Sequence, residues 1–147
     1  MNKLNIKIKK LDKNAIIPTY GSEFAAGADL CACTDAPVEI PAHATVLIHT
    51  GLAAEIPMGY AGLIYARSGL ASKRGLAPAN KVGVIDSDYR GEIRVVLLNH
   101  GKVPQTVEHG ERVAQFLIPP VLTPPDEEVD ELTDTDRGTG GFGSTGK

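Results

Sequence analysis

Asp86 and Asp88 stand two residues apart in the segment Asn80-Lys-Val-Gly-Val-Ile-Asp-Ser-Asp-Tyr-Arg-Gly91. A carboxylate beside a bound substrate can take a proton from water, which is general-base chemistry. The same spacing suits two turn residues that bond their own backbone. Both readings stand at the level of the segment alone. Its pattern is an extended run, a turn rich in Asp and Ser, and a return strand from Glu92 to Asn99, which predicts a β-hairpin. Extended backbone offers alternating amides and carbonyls, suited to reading the edge of a flat base.

Four other segments carry chemistry-bearing residues. Arg137-Gly-Thr-Gly-Gly-Phe-Gly-Ser-Thr-Gly146 combines glycines, one Arg, one Phe and hydroxyls. Glycines let backbone amides approach phosphate oxygens, and a guanidinium adds a charge-assisted fork. Phe142 can stack on a flat ring, and the bland alternative is a flexible Gly-rich tail. No Gly-Lys-Ser/Thr follows, so this is not a Walker A loop. In Ala26-Gly-Ala-Asp-Leu30 a lone acid sits among small residues, either as a turn or strand-start Asp or as a contact to hydrated Mg²⁺, which prefers oxygen and keeps its waters. In Gly110-Glu-Arg-Val-Ala-Gln-Phe-Leu-Ile118 strand alternation puts Arg112, Ala114 and Phe116 on one face, and Val113, Gln115 and Leu117 on the other. Gln115 then orients water or phosphate, or simply bonds backbone. Finally, Ser68 to Lys73 predicts a short helix with Ser68 as N-cap and Gly75 as its stop. Its start would present Arg67, Ser68 and free amides to an anion.

The elements that must position these groups are short strands. Leu4, Ile6 and Ile8 alternate with polar residues. Apolar runs follow at Val38–Ile40, Thr45–Ile48, Leu52–Ile56, Tyr60–Tyr65, Ile93–Leu98 and Val113–Ile118, separated by Pro, Gly and Asn. This punctuation predicts an all-β protein, a jelly-roll-like sandwich or barrel with one short helix. From Pro119 the character changes. Two Pro-Pro pairs and the acidic run Asp126–Asp136 predict an extended arm over 119–147, appended to a catalytic domain over 1–118.

Composition bounds the partners. The net charge is −3 and apolar content 42%. Neither favours nucleic acid or an anionic membrane surface, and a polyanionic substrate would need a local cationic site. No apolar run approaches the roughly 18 residues of a membrane span, and no signal peptide is legible, so a cytoplasmic location is expected. Cys31 and Cys33, one residue apart, are poorly spaced for a mutual disulfide and lack further zinc ligands. They are expected as small reduced thiols.

The five segments, in this order, resemble the five motifs of the trimeric dUTPases from about residue 16 to the end. Each is weak alone. The set is specific because an Asn lies six positions before the Asp of Val-Ile-Asp, and Gly-Gly-Phe-Gly-Ser follows a late Arg. The resemblance implies hydrolysis of dUTP to dUMP and pyrophosphate, limiting uracil in DNA and supplying dUMP for thymidylate synthesis. It also implies a homotrimer with shared sites and Mg²⁺ as cofactor. Asp86 matches the general base and Gln115 the amide that orients phosphate and water. Asn80, Gly83, Val84 and Ile85 match the uracil readers, and Tyr89 matches the ring under the deoxyribose. Arg94 is expected on the same pocket. Arg67, Ser68 and Gly69 match phosphate binders, and Asp29 the acid that meets Mg²⁺ through water. Arg137, Phe142, Gly143 and Ser144 match an arm that reaches a neighbouring subunit, with Phe142 over uracil. Ala66 stands where the family often has Pro. Two alternatives remain: a relative resembling the dCTP deaminases, and a dUTP-binding module without turnover.

Overall fold

The computed structural model describes residues 5–144. Leu4 of the predicted first strand lies outside the described residues, as do Thr145 and Gly146 of the glycine-rich run. Eleven strands and one helix follow in chain order: β1 Lys7–Lys10, β2 Thr19–Tyr20, β3 Ala28–Cys31, β4 Val38–Ile40, β5 Thr45–Glu55, β6 Gly62–Tyr65, α1 Ser68–Arg74, β7 Leu76–Pro78, β8 Gly83–Ile85, β9 Ile93–Asn99, β10 Gln105–Val107 and β11 Arg112–Leu117. They form a four-stranded sheet β1-β5-β9-β7, a five-stranded sheet β2-β3-β11-β6-β8 and a two-stranded ribbon β10-β4. The two larger sheets pack face to face as a jelly-roll-like sandwich, in agreement with the expected all-β class.

Alternation explains why the sheets face each other. In β9, Ile93, Val95, Leu97 and Asn99 are buried while Arg94 is exposed. Ile48, Leu52, Ile93, Val95 and Leu97 from one sheet share a core with Leu30, Ile64, Ala114 and Phe116 from the other. Burying each of the Ile, Leu, Val and Phe side chains contributes roughly 1.5–3 kcal/mol before entropy. Thr50 is one fully buried polar residue, and the other among the described residues is Asn99. Its Nδ2 donates to the carbonyls of Ile40 at 3.0 Å and Val103 at 2.8 Å, and its Oδ1 accepts from Gly101 N at 2.9 Å. Removing a partner from a satisfied buried network strands the others, so Asn99→Ala should cost about 2–4 kcal/mol in urea unfolding. A midpoint unchanged from wild type would show that the network carries no weight.

Several sequence expectations are corrected. Thr45–Ile48 and Leu52–Ile56 are one strand, β5, carried through a register shift between His49 and Leu52. Gly51 supplies the positive φ of 66° that this bulge needs. Ser68 is the first helical residue, not the N-cap. Arg67 occupies the cap position in extended conformation, and no side chain bonds the free amides there. Gly75 does end the helix, left-handed at φ 66°, with its N–H directed to the carbonyls of Ala71 and Leu70. The expected hairpin is absent as a ladder. β8 pairs with β6 in one sheet, while β9 pairs with β5 and β7 in the other. The Asp-rich turn therefore crosses between sheets.

Beyond β11 the chain leaves the sandwich. Pro120 makes an isolated bridge with Tyr60, and Val121 N donates to Gly59 O at 2.9 Å. Residues 121–139 are all exposed, including Leu122 and Leu132.

Candidate functional site

The Asp86 turn is closed by its own backbone. Tyr89 N donates to Asp86 O at 3.1 Å, which makes Asp86 the first residue of a β-turn. Turn service thus falls to the Asp86 carbonyl. Among the described residues neither its carboxylate nor that of Asp88 takes an Asx bond, and the exposed Asp86 carboxylate stays open to a ligand. The turn overhangs a cleft of about 290 Å³, lined by Asn80, Gly83, Val84, Ile85, Asp86, Tyr89 and Arg94 together with apolar side chains. All seven of those residues were expected from sequence to act together. β8 is the last strand of its sheet. Its outer edge leaves backbone groups without a strand partner, as base recognition by backbone requires. Asn80 is set at the cleft by Ala79 N bonding Val96 O at 2.8 Å and by the turn in which Lys81 N bonds Pro78 O at 3.1 Å.

A second pocket, of about 250 Å³, gathers Gly27, Asp29, Arg67, Ser68, Gly69, Arg112 and Gln115, with the loop residues Gly21 and Ala25 at its margin. Asp29 is not a lone acid. Its Oδ1 accepts from Arg67 Nε at 2.9 Å, and its Oδ2 lies 3.4 Å from an Arg112 guanidinium nitrogen. Two guanidiniums against one carboxylate leave the pocket cationic. Gln115 Nε2 donates to Ala66 O at 2.8 Å, a backbone bond that fixes the amide. Its Oε1 faces Gly27, where an added Cβ would come within 2.8 Å.

Arg112 was placed by alternation on the face opposite Gln115. The structure brings both to one pocket. A register shift between Arg112 and Ala114 against β3 slips the alternation, so Val113 turns into the core and Arg112 turns out. Sequence reading missed Arg112 as a site residue for that reason, and it missed Glu92 on the first cleft. A bulge leaves no reliable trace in side-chain pattern, whereas Glu92 directly follows Gly91 at the strand start, a place where an acid passes for a solvated one.

Among the described residues the two pockets share no lining residue. No described residue of the arm lines either. Arg137 Nε bonds Gly140 O at 2.8 Å within its own turn, Ser144 N bonds Gly141 O at 3.0 Å, Gly143 is left-handed at φ 90°, and Phe142 is fully exposed at φ 51°. Cys31 is buried and Cys33 half-buried, both free. Burial, and then the Asp29 charge, push the Cys31 thiol up, so it stays protonated and inert near neutrality.

Gly69 sits at the second pocket with nothing within 4 Å of where a Cβ would project. A helical glycine with no steric reason costs stability, so Gly69→Ala should raise unfolding free energy by about 0.5–1 kcal/mol. It should lower turnover if that space is kept for substrate. Higher stability with full activity would show the space is incidental.

A family model described as dUTPase matches residues 13–146. The chain belongs to the dUTPase family. A deoxyuridine 5'-triphosphate nucleotidohydrolase from Nautilia profundicola is 51% identical over 144 residues, covering 98% of this chain and all of the relative. Another from Syntrophotalea carbinolica is 44% identical over 146 residues and covers 99% of both chains. Among solved structures, a Staphylococcus bacteriophage 80alpha dUTPase variant with dUpNHpp superposes with TM-score 0.91 at 28% identity, covering 99% of this chain. A variant dUTPase from phage phi11 of S. aureus, described as coordinating a structural Mg(II) ion, superposes with TM-score 0.79 at 25% identity over 87% of this chain. The extent of the family match agrees with the span over which the sequence resembled dUTPases. No described helix of this dUTPase is long and apolar enough to cross a membrane.

Proposed function

We propose that this dUTPase hydrolyses dUTP to dUMP and pyrophosphate by water attack on the α-phosphorus, with Asp86 as general base, in a site assembled from three copies of the chain. The observation that carries this reading is the separation of the two pockets. One holds a carboxylate, an aromatic ring and unpaired sheet edge, which suit a nucleoside. The other holds two arginines, a serine and an oriented amide, which suit phosphates. Neighbouring copies that bring one chain's cleft to another's pocket, with the arm from a third, would complete one site, as the resemblance to the trimeric dUTPases implies.

In that assembly the β8 edge and Asn80 read uracil. Uracil and cytosine differ at O4 and N3–H, so a site of buried hydrogen-bonding groups rejects cytosine strongly. Tyr89 lies under the deoxyribose and leaves no room for a 2'-hydroxyl, and Arg94 lines the same cleft. Arg67, Ser68 and Gly69 hold phosphate oxygens, with Asp29 keeping Arg67 extended toward them. Gln115, held at Ala66, orients phosphate through its remaining Nε2 N–H and water through Oε1. Asp86 accepts the water proton as the oxygen attacks, roughly in line with the departing pyrophosphate. The arm brings Arg137 and Ser144 to phosphates and Phe142 over uracil, with Gly143 allowing the close turn, and excludes bulk water. The domain over 1–118 and the arm over 119–147 thus act on different sites.

Mg²⁺ fits the residues present only as a partner of the substrate. No cluster of three His, Cys, Asp or Glu among the described residues can cage an ion. Asp29 keeps lone pairs beyond its two arginine contacts and can receive a metal-bound water. Bound on the triphosphate, the ion would take up charge on the leaving pyrophosphate.

Pyrophosphate release from dUTP, UTP, dCTP and dTTP, with and without Mg²⁺, tests the proposal. Release is expected from dUTP alone and fastest with Mg²⁺. Ammonia from dCTP would instead assign deaminase chemistry, and dUTP binding without pyrophosphate would leave a binding module.

A further inference from the structure

We infer that Gly91 and Glu92 are positioning residues for Tyr89, and through it set how sharply the site separates deoxyribose from ribose. The inference rests on the proposed role of Tyr89 beneath the sugar. Tyr89 is substantially exposed, and an exposed ring on a turn has several rotamers open to it. This one is held from two sides. Its hydroxyl donates to Glu92 O at 2.9 Å. Its ring lies on the bare face of Gly91, where an added Cβ would come within 2.6 Å of Cζ and closer still to the hydroxyl oxygen. Gly91 is not among the glycines with positive φ, so its backbone accepts alanine. What excludes a side chain there is the Tyr89 ring.

The acceptor of the Tyr89 hydroxyl is itself anchored. Glu92 Oε1 accepts from Gly51 N at 2.9 Å, and Oε2 lies 2.8 Å from His49 Nδ1. Gly51 is the bulge of β5, and its carbonyl in turn accepts from Leu11 N at 2.7 Å. Next to Glu92, Ile93 O accepts from the buried Thr50 hydroxyl. Glu92 thus ties the turn carrying Tyr89 to a fixed point of the opposite strand, and it lines the same cleft as the ring. Ejecting a 2'-hydroxyl needs the ring in place to within a fraction of its own thickness. Displacement by about 1 Å is enough to cost up to 10²-fold in a positioned reaction.

The test is the ratio of kcat/KM for dUTP over UTP, with melting temperature measured alongside. Tyr89→Ala should lower the ratio; if it does not, the reading of Tyr89 itself fails. Given that fall, Gly91→Ala should lower the ratio about tenfold or more. Adding Gly91→Ala to Tyr89→Ala should change the ratio no further and leave the melting temperature where Tyr89→Ala puts it. Glu92→Ala should also lower the ratio. Glu92→Gln, which keeps an acceptor for Gly51 N, should restore most of it. A wild-type ratio in Gly91→Ala, an additive loss in the double variant, or a fold lost even without the Tyr89 ring would each overturn the inference.

Discussion

Asp86→Asn is expected to fold, to bind dUTP and to hydrolyse it roughly 10²- to 10⁴-fold more slowly, the usual weight of a positioned general base. That loss is about 3–5 kcal/mol of transition-state stabilisation. Binding should survive because Asn keeps the shape of the side chain, and because the bond that closes the turn comes from the Asp86 carbonyl rather than its carboxylate. Asp88, two residues on in the same turn, is the internal control. Asp88→Asn should retain most of the activity. Single-turnover rates with dUTP, beside calorimetric binding of a non-hydrolysable analogue, separate the two. Normal hydrolysis by Asp86→Asn would move the base elsewhere.

Deleting residues 137–147 is expected to lower turnover on the order of 10²- to 10³-fold, since several charge-stabilising donors leave together. The loss should come without damage to the fold. Residues 121–139 are exposed, and among the described residues the core cluster draws on nothing beyond β11 apart from the partly buried Ile118 at its edge. Melting temperature and the mass of the assembly in light scattering should therefore match wild type. An unchanged rate would reduce the arm to a tail.

The all-β class was legible because period-two runs between Gly, Pro and Asn leave few other folds open. The first cleft was legible for a different reason: Asn80, Gly83 to Asp86, Tyr89 and Arg94 all lie within one connected segment, so their neighbourhood in space follows from their neighbourhood in sequence. The second pocket is harder. Asp29, Arg67 and Gln115 come from β3, the cap of α1 and β11, far apart in the chain, and only their motifs announced them. Arg112 escaped because a bulge inverted its face, and no side-chain pattern marks a bulge of that kind. The hairpin expectation failed at a similar point. A tight Asp-Ser-Asp turn reads the same whether its flanking strands pair or part to opposite sheets, and the choice was made by the long pairing of β9 with β5. The helix cap lies one residue earlier than expected, at Arg67, whose side chain is bound by Asp29, 38 residues away in the chain.

Glu92 illustrates how such distant contacts reach the site. Its side chain reads as a solvated charge, yet it joins the β5 bulge to the turn that carries both Asp86 and Tyr89. The chemistry-bearing residues are local in sequence, while the groups that hold them still come from elsewhere in the sheet.

In the proposed assembly one chain cannot complete a site. Co-assembling Asp86→Asn chains with chains lacking 137–147 tests it most directly, because neither parent holds both a base and an arm. If the arm serves a neighbour in a trimer, random equimolar mixing pairs an intact base with an intact arm in about a quarter of the sites, and dUTP hydrolysis should return to about that fraction of wild type. Mixed assemblies as inactive as their parents would show that base and arm must belong to the same chain.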